Sequence, residues 1–328
     1  VHAILIVLRT LLLSGACLAS GLVCSQTFPS RPVTMVVPWP AGGAADFVAR
    51  TLSKEMERIL GQPVIVDNVP GAGGSLGAAK ALRAPADGYT LMLSSPLDIL
   101  LAPLNFPAAG YKPEDARAVA LVGRTDLMLV TRKDLAADSL ADLVAMMKAN
   151  PGKPLSTCIM GSAAPHSLLG ERISTLAGVQ WLEVPYSGLG DCVRDIIGGH
   201  VDTALVPISG PFPGFVDNGH LKALAALGDA VHPRLPTLPL AREVRGFEGL
   251  SMSLWAGLHV HARVPEAIVR QLHQATYAAL AKPELGKAIA NTGGTVSGPM
   301  SLDQVQAAYL KEVRLYRTMA RPAATVRP

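Results

Sequence analysis

V-T-M-V-V-P-W-P-A-G-G-A-A-D, from Val33 to Asp46, passes from an apolar run through a glycine turn into an amphipathic pattern. Val33 to Val37 is a short run, rich in β-branched residues, fit for a buried parallel strand. Pro38 and Pro40 end it, because proline has no N–H to give to a sheet ladder. Val48, Leu52, Met56, Ile59 and Leu60 then recur at three- and four-residue spacing, which predicts a helix over 45–60 closed by Gly61. A strand, the Gly42-Gly43 turn and a helix start, in that order, leave unpaired backbone N–H groups and the positive end of a helix dipole at the strand's carboxyl edge. Anions bind at such places. The same arrangement also serves as a plain β-α turn with no ligand.

Working outward, strand and helix patterns alternate along the chain, the signature of parallel sheets wound with helices. Strands are expected near 33–37, 63–67 and 89–94, with helices near 45–60 and 74–83. A second series follows: Leu127 to Thr131 as a strand, a helix through Leu140, Leu143, Val144 and Met147, strands at 155–160 and 181–185, and a helix at 165–177 between them. Val201 to Val206 and Leu221 to Leu227 continue the alternation, Leu250 to Val260 is a long extended run, and helices at 265–281 and 301–319 end the series. A chain of 328 residues, 49% hydrophobic and 16% charged, is long enough for two such α/β lobes, each with its own core. Net charge is +4, aromatic residues are 5%, and Lys and Arg are scattered, so nothing reads as a nucleic-acid surface.

Residues 3 to 24 carry one charge, Arg9, ahead of Leu11-Leu12-Leu13 and then small residues, which is the pattern of an export signal. As a membrane anchor the segment is short against the ~20 apolar residues a span needs, and Ser and Gly interrupt it. Val23-Cys24-Ser25 offers small residues for cleavage, placing the mature start near Gln26; a lipid anchor at Cys17 or Cys24 is the alternative. Export leaves Cys158 and Cys192 as the mature chain's cysteines. A disulfide between them and two free thiols both stay open, and their neighbours supply no zinc quartet.

P-W-P-A-G-G-A-A-D at 38–46, Q-P-V-I-V-D-N at 62–68, V-P-G-A-G-G-S-L-G at 69–77 and A-D-G-Y-T-L at 86–91 together resemble the Bug family of periplasmic solute-binding proteins, also called TctC-like. V-P-Y-S-G at 184–188 and G-G-H-V-D at 198–202 extend the resemblance, which runs from about Phe28 to about Tyr316. These proteins are the extracytoplasmic receptors of tripartite tricarboxylate transporters. The resemblance implies an α/β type II periplasmic binding protein: two lobes, each a mostly parallel sheet flanked by helices, joined by a double-crossover hinge around a ligand cleft. It places the crossings at Leu127 to Thr131 and Leu250 to Val260. The expected division is a signal peptide at 1–25, lobe one at 26–126 plus 251–328, and lobe two at 127–250. The expected partners are a small carboxylate ligand and inner-membrane transporter subunits or a sensor kinase. No cofactor, metal or nucleic acid is expected, and the protein is expected to act as a monomer in the periplasm.

By the same resemblance the ligand set is Trp39, Ala41, Gly42, Gly43 and Asp46 with Ser94 and Ser95 on lobe one, facing Gly161, Ser162, Ala163, Ala164, His166, Tyr186, Val206 and Pro207 on lobe two. The family holds a carboxylate between the two glycine loops through backbone N–H groups and ordered water. Pro165 suits the first position of a helix. Ala164 stands where the family usually has Ser, and loss of a Ser cap costs ~1 kcal/mol of helix stability. Val206-Pro207 replaces a common Asp or Asn, which removes polar partners for the far end of a ligand. His166 reads as an internal hydrogen-bonding residue or as a ligand contact. Asp98 reads as a solvated loop charge or as a partner for an amino group.

Other chemistries fit less well. Gly71 to Gly77 lacks the third glycine of a dinucleotide fingerprint, Leu76 standing there, and no acid follows Leu91-Met-Leu-Ser-Ser to hold a ribose, so tight helix-on-strand packing explains the glycines. Gly73 to Gly77 spells G-x-S-x-G, but it lies within that same packing turn, and no paired carboxylates or H-E-x-x-H occurs. Asp46, at a helix N-terminus, is held ionised and is a poor base. An exported enzyme, or a contact sensor with a degenerate pocket, is the competing function.

Overall fold

Val33–Val37 forms β1, with β2 (Val64–Asn68) and β3 (Thr90–Ser94) parallel on either side. The computed structural model describes residues 28–105, 107–159, 165–186 and 188–319. The side chains of β1 divide by the two-residue period of a strand. Val33, Met35 and Val37 pack with Val48, Leu52 and Met56 of α1 (Ala44–Leu60), whereas Val36 packs with Ala78, Ala81 and Leu82 of α2 (Ser75–Arg83). A strand covered on both faces is apolar at nearly every position, here all but the half-buried Thr34, which is why the V-T-M-V-V run could be read as buried. Gly61 ends α1 in the left-handed region, φ 69°, with its N–H returning to the Glu57 carbonyl. Gly77 lets α2 lie on the strand end, because a Cβ there would stand 2.8 Å from Pro38 Cα and from the Val69 carbonyl.

After β3 a π-helical turn, Leu97–Leu101, leads into α3 (Ala102–Asn105). The chain continues through β4 (Ala116–Arg132), α4 (Leu140–Ala149), β5 (Ser156–Ile159), α5 (Pro165–Ala177), β6 (Leu182–Pro185), α6 (Leu189–Ile197) and β7 (Thr203–Pro207). Then come α7 (Phe212–Asp217), β8 (Leu221–Ala226), β9 (Ser253–His261), α8 (Glu266–Leu280), α9 (Pro283–Asn291), β10 (Thr295–Val296) and α10 (Leu302–Met319). The first sheet runs β2-β1-β3-β9-β4, with β10 also on β4. The second is β8-β4-β7-β5-β6, in which β4 runs against the four others. Each sheet is thus mixed: parallel pairing joins β2-β1-β3 in one and β7-β5-β6 in the other, as expected for the two lobes, whereas every pairing of β4 and β9 is antiparallel. Helices α1 and α8 cover one face of the first sheet, and α10 brings Val305, Tyr309, Val313 and Tyr316 to the other.

The two sheets share β4. From Ala116 to Asp126 it pairs with β9, and from Leu127 onward it pairs with β7 and β8. Leu127 to Thr131 is therefore not a crossing but lies within the second sheet, and the change of sheet falls at the Asp126-Leu127 peptide. The upstream half of β4, A-R-A-V-A-L-V-G-R, gives little strand signal because alanines, a glycine and two arginines break both the run and the alternation. The return crossing is residues 227–252, which re-enter the first sheet at Ser253, so all but the start of Leu250 to Val260 also lies inside a sheet.

Close backbone bonds tie the crossings together. The Leu227 N–H donates to the Leu127 carbonyl at 2.8 Å, Met252 N–H to Leu227 at 2.7 Å, and Ile208 N–H to Asp126 at 2.7 Å. The buried Asp126 carboxylate accepts the Ser253 hydroxyl at 2.5 Å, joining the two strands where they leave the first sheet.

Cys158, in β5, and Cys192, in α6, form a disulfide with Cα atoms 6.1 Å apart, which decides the pairing left open by the spacing. The expected leader, with Cys17 and Cys24, lies outside the described residues. Among the described residues no helix is long and apolar enough to cross a membrane.

Candidate ligand-binding cleft

The turn between β1 and α1 is closed by a chain of polar contacts. Asn68, last residue of β2, donates through Nδ2 to the Trp39 carbonyl at 3.1 Å and accepts Arg50 Nη2 at 3.1 Å. Arg50 Nε reaches Asp46 Oδ2 at 2.9 Å, and that same oxygen accepts the Gly42 N–H at 2.9 Å. The Arg50 guanidinium beside it, with the Gly42 N–H, holds the Asp46 carboxyl below the usual carboxylate range although burial opposes this. Asp46 is therefore a turn anchor. Its other oxygen, Oδ1, is buried with no protein partner among the described residues. Gly42 holds φ 81°, which favours glycine, whereas Gly43, the residue before the helix, is extended at φ −80°, ψ 173° and has no side chain to cap α1.

The consequence is a set of free donors. The first helical hydrogen bond of α1 is Phe47 N–H to the Gly43 carbonyl, so the N–H groups of Ala44, Ala45 and Asp46 have no acceptor within the helix. Ala44 and Ala45 border a cavity of about 230 Å³ on lobe one's side of the cleft, together with Trp39, Ser94, Ser95 and Thr125. Val48, Leu93, Leu254 and Ile289 make much of the rest of its wall. Among the described residues no Asp or Glu borders it, and its one charged neighbour, Arg124, lies 3.5 Å through Nη2 from the Asp126 carboxylate. An apolar cavity with a helix N-terminus at one end and no acid along it is electrostatically suited to an anion with an apolar body.

Behind the wall lies Asp98. Neither sequence reading of this residue holds: it is wholly buried, neither solvated nor exposed to a ligand amine. Its carboxylate accepts the Ser95 N–H at 3.0 Å, the Ser95 hydroxyl at 2.7 Å and the Trp39 indole N–H at 3.2 Å. Burial pushes its pKa up to about 7, against the pull of those donors. Gly74, at φ 90°, gives it room, because a Cβ there would be 2.5 Å from Asp98 Cβ. Asp98 thus fixes two side chains that line the cavity.

Ser94 faces a different partner. The sequence shows no nucleophile-base pair, yet Ser94 Oγ lies 2.7 Å from Nδ1 of His259 on β9. That nitrogen is also 3.2 Å from the Gly257 carbonyl, and burial drives the imidazole's pKa down to about 4. Among the described residues no carboxylate is bonded to His259, so the orienting third member of a catalytic triad is missing.

On lobe two the expected residues are dispersed. Gly161, Ser162, Ala163 and Ala164 lie outside the described residues, and His166 is the second residue of α5. Tyr186 donates its hydroxyl to Asp195 Oδ2 at 2.5 Å. Val206 is fully buried in the second lobe's own core with Met128 and Cys192, and Pro207 is half-buried at the end of β7. On lobe one Ala41, Gly42 and Gly43 are exposed, while Trp39, Ser94 and Ser95 reach the cavity. The residues missing from the sequence reading are Asn68, Arg50 and His259, whereas Asp98 was considered there in other roles. The Asn68 of Q-P-V-I-V-D-N and the i,i+4 spacing of Asp46 and Arg50 were signals for the first two.

The family model described as tripartite tricarboxylate transporter family receptor, TctC, matches residues 48–315. Protein BugT of Bordetella pertussis is 35% identical over 276 residues, covering 83% of this chain and 83% of that one. The structure of MatC from Rhodopseudomonas palustris with bound malate superposes with a TM-score of 0.67 at 28% identity, covering 90% of this chain and 100% of that one. A TctC solute-binding protein from Polaromonas, without ligand, gives a TM-score of 0.79 at 24% identity over 89% and 99% of the two chains, a likeness of fold.

Proposed function

The chain belongs to the tripartite tricarboxylate transporter receptor family, whose members are periplasmic solute-binding receptors, and from that premise we propose that it captures a small monocarboxylate in the interlobe cleft and delivers it to transporter subunits in the inner membrane. The observation that carries the ligand class is the start of α1: N–H groups of its first turn, beside Ala44 and Ala45, open on an apolar cavity with no acidic side chain among the described residues that border it. The ligand carboxylate sits on those donors, and its body lies along Trp39, Leu93 and Leu254. Malate in the MatC structure supports the carboxylate class. Lobe one is 26–126 plus 251–328 and lobe two 127–250, a division supported by the change of sheet at Asp126-Leu127 and the return at Ser253. The lobes close about those two strands. No catalytic step is assigned to the cleft.

Thermal-shift screening of the purified mature chain against a panel of small carboxylates, followed by calorimetry, tests this reading. A monocarboxylate that binds in the micromolar range and loses binding in Gly43→Asp is the expected result. A folded protein that binds no member of the panel would overturn it and favour the contact sensor.

A further inference from the structure

The two central strands lie between two cavities, with Trp255 and Arg124 bordering both. Along β9, Leu254 and Ala256 border the cleft cavity, whereas Ser253, Gly257 and His259 border another of about 280 Å³ on the opposite face. Its floor is aromatic: the rings of His259 and Tyr309 are 4.9 Å apart, Trp255 and His259 5.7 Å, and Trp255 and Tyr309 6.3 Å. Leu121, Met252 and Met300 add apolar surface, and α10 closes one side.

Into this lining projects Glu312 of α10. Its Oε2 accepts the Trp255 indole N–H at 3.2 Å, and among the described residues it forms no ion pair. Burial raises its pKa, and the nearby Asp229 carboxylate raises it further, opposed by that indole and by Lys311. A half-buried carboxylate in an apolar cavity is costly unless a cation or donor meets it. The cations along the wall do not meet it: Lys311 is exposed, and Arg124 is turned to Asp126. Asp229, also on the wall, adds a second negative charge, bonded by the Ser251 hydroxyl and partly offset by Arg242, whose Nη1 lies 3.7 Å away.

We propose that this cavity is a second ligand site, separate from the cleft, which takes a protonated primary amine on an aromatic or apolar body, with the ammonium paired to Glu312. The ring faces of Trp255 and Tyr309 serve both parts of such a ligand, since an aromatic face attracts a cation and packs against an apolar body. Asp229 strengthens the field from the solvent side. Because Asp229 and Ser251 belong to the segments that leave and re-enter the hinge, and Glu312 to the last helix, an occupant bridges parts that shift when the lobes close.

Calorimetry on the full mature chain with phenethylamine, and with 2-phenylethanol as its uncharged counterpart, tests the site. Phenethylamine is expected to bind at least tenfold more tightly than the alcohol and to lose at least tenfold in Glu312→Gln, an isosteric change, with the affinity for a cleft carboxylate unchanged. Absence of phenethylamine binding, equal binding of amine and alcohol, or unchanged binding in Glu312→Gln would overturn the proposal. Should Glu312→Gln not fold, Asp229→Asn at the exposed rim decides: a two- to threefold weakening supports the site, and an unchanged affinity refutes it.

Discussion

The Trp39 indole is hydrogen-bonded at 3.2 Å to a carboxylate with no solvent exposure, that of Asp98, so a wall of the ligand cavity is fixed by a group that titrates near neutrality. The folded Asp98, at about 7, keeps its proton over a range where the unfolded carboxyl, at ~3.9, has lost it. Its contribution to stability therefore falls as pH rises from ~4 to ~7, by ~1.4 kcal/mol for each pH unit crossed. His259 has the opposite sign. Its folded pKa, at about 4, is below the unfolded ~6.5, so its contribution rises with pH over ~4 to ~6.5. The two slopes oppose each other in that window. Asp98→Asn removes one of them, and its Tm is expected to climb with pH between 4.5 and 6.5 more steeply than that of the wild type. Scanning calorimetry at several pH values checks this, and parallel profiles would show that Asp98 does not titrate in the range.

The Cys158–Cys192 disulfide closes a loop of 34 residues that contains α5 and β6. Loop-closure entropy predicts a loss of up to about 4 kcal/mol on removing such a bridge. Cys192→Ser, with its side chain fully buried in the parent, is expected to lower the urea midpoint markedly. Reduction of the wild type is expected to reproduce the effect. A midpoint insensitive to both would mean that the bridge adds nothing to the fold.

Gly228 presses on the hinge. A Cβ at this position would stand 2.5 Å from Asp126 Cγ and 2.6 Å from its Oδ2, so Gly228→Ala must displace the carboxylate that holds Ser253. Overpacking of this kind costs ~1 to 3 kcal/mol. The variant is expected to lose that much by denaturant titration and also to shift ligand affinity, although Gly228 does not border the cleft cavity. Wild-type stability would show that the contact relaxes freely.

What could be read in the sequence divides along physical lines. The β1-turn-α1 unit was legible because its strand is apolar but for Thr34 and its helix keeps a clean three-to-four spacing. Likewise Gly71 to Gly77 was correctly read as packing, since Gly74 and Gly77 each admit a neighbour that a Cβ would displace. The continuity of β4 was hidden because its first half is made of small residues and two arginines, and pairing with β9, far along the chain, stabilises it. Asp98 was misread because nothing local marks a buried acid; its partners Trp39 and Ser95 come together only when β1 and β3 pair. The role given to Val206 depended on a side chain facing the cleft, and the two-residue register of β7 against β4 turns it into the core instead.

Gly43→Asp tests the anion site directly. Gly43 has extended backbone angles, and a Cβ there would meet only the Pro40 carbonyl, at 3.4 Å, so the fold tolerates a side chain. Asp is a favoured residue at this position, where its carboxylate accepts the N–H groups of the first turn. The same donors are then denied to a ligand, and the added charge repels it. Carboxylate affinity is expected to fall by at least a hundredfold while Tm holds or rises. Calorimetry with unchanged affinity in the folded variant would remove the start of α1 from the site.

The identity of the acid is the sharpest test. A ligand bound with one carboxylate on the α1 donors lays the rest of its body against Trp39, Val48, Leu93, Leu254 and Ile289, and the guanidinium of Arg124 is turned to Asp126. Citrate would bring two further carboxylates to that apolar wall. Each unpaired buried charge costs several kcal/mol even after relaxation, whereas a hydrogen bond to a charged group returns about 1.5 to 3 kcal/mol. Benzoate and nicotinate leave their rings on the apolar side and bury no second charge. Calorimetry at one pH and salt concentration is expected to rank benzoate or nicotinate above citrate by at least tenfold. Should citrate bind more tightly, Arg124 must leave Asp126 to meet it, and Arg124→Gln would then abolish citrate binding while sparing the monoacids.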